Sequence, residues 1–122
     1  MSENFTKQGN SMTENDKPAV SFAEAVLLRP KMYTLGGTYE EVVAFLDGYF
    51  SGMAKANPYA PPVLQWVAFQ QWLAVQLSVP SSDVFSTLKN AHYADQDALA
   101  EMLDWLSRFL SEQPATNNGN EE

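Results

Sequence analysis

Apolar residues recur along this chain at intervals of three and four over five stretches, and nowhere do they alternate with period two over the length of a strand. That pattern predicts helices and no sheet. The first helix is short. Ser21 and Glu24 make an S-x-x-E capping box ahead of Phe22, Ala25 and Val26, and Pro30 stops it because the residue before a proline is driven out of the helical region. The segment from Lys31 to Gly37 has no helical period and ends in a Gly36-Gly37 turn, where a positive φ costs little. Thr38 and Glu41 form a second capping box. They open a helix whose apolar positions, Tyr39, Val42, Val43, Leu46, Tyr49, Phe50 and Met53, lie on one stripe. Gly48 and Gly52, four apart on its flank, are expected to mark close contact with another helix.

Asn57-Pro58 and Pro61-Pro62 enclose a loop, and a third helix runs from about Pro62 to Leu77. It is apolar on most sides, so it is expected to be the central, buried one. Val79-Pro80 ends that segment. Ser81 or Ser82 is expected to cap a short fourth helix with Val84, Phe85 and Leu88, which frays near His92. Asp95 is expected to cap the fifth, which reaches about Glu112 on a stripe of Leu99, Met102, Leu103, Leu106, Phe109 and Leu110. Trp66, Trp72 and Phe109 should be largely buried. The fold class that follows is all-α: a compact bundle of about five helices over residues 20–112. A polar leader (1–19) and a polar tail (113–122) are expected to be disordered. Met12 is a second candidate start, since nothing ahead of it has a structural pattern.

Composition narrows the function more than the fold. The chain has 122 residues, enough for one domain, and no cysteine, so neither a disulfide framework nor a thiolate metal site is expected. The first twenty residues lack the apolar run of a signal peptide and no stretch approaches membrane-spanning length, so the expected location is cytoplasmic. Net charge is −8. Between Ser21 and Glu112 ten acids face five bases. Such a surface repels nucleic-acid phosphates and anionic lipid, and draws basic partners at long range.

Catalytic chemistry finds no foothold in the sequence. His92 is the only histidine, no His/Asp/Glu spacing suits a transition metal or a helix-loop-helix calcium site, and no glycine-rich phosphate loop is present. No serine has a histidine and an aspartate to activate it. Glu40 and Glu41 are a carboxylate pair, but their place in a first helical turn explains them structurally. No enzyme activity, metal or cofactor is therefore expected.

Four blocks carry a family resemblance: Arg29-Pro30-Lys31-Met32-Tyr33 with the Gly36-Gly37 turn; Ala44-Phe45-Leu46-Asp47-Gly48-Tyr49; Phe69-Gln70-Gln71-Trp72-Leu73; and Ala98-Leu99 through Leu106 to Phe109-Leu110. In order and spacing the chain resembles small bacterial helical proteins that begin R-P-x-M-Y and are often encoded beside polymorphic toxins. The resemblance implies an immunity protein that neutralises a cognate toxin by stoichiometric binding and is monomeric when free. The charge implies that the toxin is basic. The partner-binding residues expected on that basis are Glu40 and Asp47 in the second helix and Asp97, Glu101 and Asp104 on the outer face of the fifth. Asp47 has a structural alternative, to cap or to pair with Arg29 and so hold the fold. The competing reading is a self-associating structural or adaptor protein joined through Gly48 and Gly52. An enzyme would need a deep pocket lined by several acids.

Overall fold

The structure, a computed structural model, describes residues 19–112. Five α-helices make it up: α1 (Ala19–Leu28), α2 (Tyr39–Ala56), α3 (Pro61–Leu77), α4 (Val84–Asn90) and α5 (Asp95–Ser111). Single 3-10 turns at Pro30–Met32 and Ser81–Asp83 precede α2 and α4, and no strand occurs among the described residues. The expected leader and tail lie outside them, apart from Ala19, which already belongs to α1.

Local chemistry sets several of the boundaries. At the start of α2, Thr38 accepts from the Glu41 N–H (3.2 Å), while Glu41 accepts from the backbone N–H groups of Thr38 (3.2 Å) and Gly36 (2.8 Å). The expected capping box is therefore present and reaches one turn further back. Gly37 sits at φ +67, the left-handed region that favours glycine. Pro61 and Pro62 occupy the first turn of α3, where missing N–H groups cost nothing, and Ser78 closes it in the left-handed conformation.

Other expected caps are absent. α1 starts at Ala19, so Ser21 lies inside the helix, and Glu24 instead accepts from Ser107 Oγ of α5 at 3.1 Å. Ser81 and Ser82 lie in the 3-10 turn and neither caps α4. Ala94 takes the N-cap position of α5, and the Asp95 side chain reaches across the molecule to accept from the Tyr39 N–H at the start of α2 (3.0 Å). One helix thus caps another.

The core is built from one stripe of each helix. Val26, Tyr39, Val42, Leu46, Phe50, Trp66, Phe69, Leu73, Val84, Leu88, Met102, Leu106 and Phe109 are all buried. α1 packs most closely on α5, and α3 touches every other helix. Yet α3 is not enclosed. Leu64 is 50%, Val67 43% and Val75 74% exposed. Trp66 and Phe109 are buried as expected, but Trp72 is only partly so, stacking near Phe69 and edge-on to Trp105. Gly48 and Gly52 face open space: a methyl group on either Cα would have no neighbour within 4 Å, so neither marks a helix contact inside the fold.

Candidate functional site

The resemblance blocks fold back on one another. Tyr33 of the first and Phe45 and Tyr49 of the second join Phe22 of α1 in a four-ring cluster, with centroids 4.7–6.5 Å apart. Phe69 and Trp72 of the third meet Phe109 of the fourth at 5.5 and 5.6 Å. Apolar and edge-to-face packing is a sufficient reason for those residue types. Asp47 is left over. It is exposed, and no ion pair joins it to Arg29.

Asp47 instead sits where two grooves meet. One, of about 520 Å³, lies between α2 and α4, lined by Val43, Ala44, Phe85 and Tyr39 with Glu40, Asp47 and Lys89 at its edges. The other, of about 380 Å³, lies between α2 and α3, lined by Phe50, Ala54, Val63, Trp66 and Val67, and again by Asp47. Helical spacing explains the sharing. Residues 40, 43, 44 and 47 form one face of α2, and 47, 50, 51 and 54 continue it.

Charges around the first groove are unequal in availability. Lys89 Nζ lies 3.4 Å from Glu40 and 3.6 Å from Asp95, so the one cation at the rim is already shared between two carboxylates. The Tyr39 hydroxyl, donating to the Phe85 carbonyl at 2.7 Å, ties α2 to α4 beneath the groove. Burial pushes that phenol well above its usual range, with the Glu101 and Glu40 charges adding to the effect, so it stays protonated. Asp47 has no hydrogen-bond or ion-pair partner among the described residues.

The three α5 acids divide. Asp97 is exposed without a partner among the described residues, and Asp104 pairs with Arg108 at 3.3 Å, one turn on. Glu101 is no free surface charge. It meets His92 Nε2 with one oxygen and accepts from Trp105 Nε1 (2.9 Å) with the other. The His92 contact leads in holding its carboxyl below the usual range, with the Trp105 bond assisting. Arg108 lies over the Trp105 ring at 4.6 Å. Glu101 thus pins the α4–α5 connection to α5. The structure brings Glu40 and Asp47 together on one rim but does not place the α5 acids in the same grooves. Sequence reasoning missed Phe85 and Lys89 at the site because they arrive from α4, 38 and 42 positions beyond Asp47.

Two carboxylates edge the α2–α4 groove, and its walls are mainly apolar. Among the described residues no three His, Asp or Glu side chains gather as metal ligands, and no helix is long and apolar enough to cross a membrane. No protein-family model, curated protein or solved structure matches the chain.

Proposed function

We propose that this chain is an immunity protein that neutralises a cognate basic toxin by stoichiometric binding, with the grooves around Asp47 as its central contact. The observation that carries the reading is Asp47 itself, a carboxylate unpaired among the described residues at the junction of two apolar grooves on an acidic molecule. An arginine or lysine of the partner can lay its methylenes along Val43, Ala44 and Phe85 and set its charge on Asp47. Glu40, half-neutralised by Lys89, contributes less. Asp97 and Asp104 act as outlying charges that speed encounter. Glu101 acts through the fold. No chemistry is performed, and inhibition comes from occupancy alone, in the cytoplasm that would hold both proteins. The resemblance to proteins encoded beside polymorphic toxins supports the same reading.

The test is co-expression with the toxin encoded beside the gene, scoring survival, followed by binding kinetics. Asp47→Lys should leave the melting curve unchanged and abolish protection. It should raise the dissociation rate by tens- to thousands-fold, the equivalent of about 2–5 kcal/mol for a desolvated charge pair lost. Full protection by Asp47→Lys with unchanged kinetics would remove the grooves from the interface.

A further inference from the structure

The two grooves that share Asp47 are two reaches of one trench. α2 forms one bank throughout, from Glu40 to Ala54, about 21 Å at ~1.5 Å per residue. The other bank passes from α4 to α3 through a stacked ring pair: Phe85, in the first groove, lies 5.7 Å from Trp66, in the second. Along α2 the floor repeats. Val43 and Ala44 line the first hollow, Phe50 and Ser51 line the second, seven positions on, and Asp47 stands between them.

We propose that the trench takes one amphipathic α-helix of a basic partner, laid along α2, with an apolar side chain in each hollow and an arginine or lysine between them on Asp47. The inference rests on the reading of Asp47 as the central contact and names what the partner presents to it. Charge selects the sign. Glu40 and Asp47 are the carboxylates at the trench, and Lys89, the cation that lines it, is already shared between Glu40 and Asp95. Among the described residues no cation lines the second hollow, so a basic occupant meets attraction along the whole length. Backbone chemistry selects the helix. Both banks are helices, whose N–H and C=O groups bond within them, and no strand among the described residues offers an edge. An extended segment would leave its own backbone groups unpaired against these walls, whereas a helix arrives with them satisfied. Pitch selects the spacing. Residues i and i+7 of a helix share a face about 10.5 Å apart, the same separation as the two hollows along α2, and i+4 falls between them. The pattern is therefore apolar, basic, apolar at i, i+4 and i+7.

The probe is a peptide of about 16 residues built on alanine and glutamine, with leucine, arginine and leucine at i, i+4 and i+7. A hydrocarbon staple on its outer face holds it helical, since so short a helix is marginal alone. Titrated into the ¹⁵N-labelled full chain, it should shift amides of α2, α4 and the first half of α3, with a dissociation constant between about 10 µM and about 1 mM. Glutamate in place of the arginine, a proline at the centre, or the second leucine moved off the face should each weaken it by at least about tenfold. Asp47→Lys and Val67→Lys, both at exposed positions of the trench, should do the same from the protein side with unaltered melting curves. No shift at the trench up to about 1 mM, a range that spans weak association, would overturn the proposal. So would equal binding by the proline peptide, or a Val67→Lys chain that binds like wild type. These results are separable from the survival assay: Asp47→Lys that abolishes protection beside a peptide that shows no helix preference keeps the contact and discards the helix.

Discussion

Glu41 and Glu101 are both held below the usual carboxylate range, Glu41 chiefly by the Thr38 N–H and Glu101 chiefly by His92. A carboxyl whose value is lower folded than unfolded stabilises the fold fully above the unfolded value, near pH 4.3 (roughly) for glutamate, and loses that contribution as pH falls through the folded one. The melting temperature should therefore drop between about pH 5 and about pH 3. Glu101→Gln should lower it at neutral pH and flatten part of that slope; an unchanged slope would mean that the His92 contact does not couple to folding. Thr38→Ala removes the cap of α2 and should cost about 1 kcal/mol, or about 4–8 °C in melting temperature for a domain of this size. That cap was legible in the sequence because its partners lie within five positions. The roles of Glu24, Asp95 and Glu101 were not, because Ser107, Tyr39 and His92 come from other elements, and residue type alone cannot say which backbone a carboxylate will reach.

At the scale of the helix, period and proline placement located all five elements to within two or three residues. What the period could not give was the share of each helix that finds a partner. α3 is apolar nearly all round, yet its neighbours cover one side, and Trp72 is only partly buried. Trp66 stacks between Phe50 and Phe85 at 4.8 and 5.7 Å and is 4% exposed. Trp66→Ala should cost about 3–5 kcal/mol, and Trp72→Ala distinctly less, since part of that ring is in water already. Chemical denaturation of the two variants measures the order, and a costlier Trp72→Ala would mean that α3 is seated differently. Gly48 and Gly52 carry the same lesson in reverse, since their spacing suits helix contact but they lie on the solvent side of α2.

Over the whole molecule, ten acids against five bases between Ser21 and Glu112 should make association with a basic partner fast at low salt and slower as salt rises. Asp97→Lys with Asp104→Lys should flatten that dependence with little effect on dissociation. Stopped-flow mixing at two ionic strengths measures it, and an unchanged salt slope would leave both residues as solvated charges. The sequence disclosed this charge but not its distribution. Lys89 is already engaged by Glu40 and Asp95, and Glu101 by His92, so only folding reveals which acids remain available. Asp95 has one more consequence, for the order of events in synthesis. The first turn of α2 borrows its carboxylate from a helix 56 positions downstream. Chains leave the ribosome N-terminus first at about 5–20 residues per second. α2 therefore waits several seconds for its final cap, and the domain can lock only when its last helix has emerged.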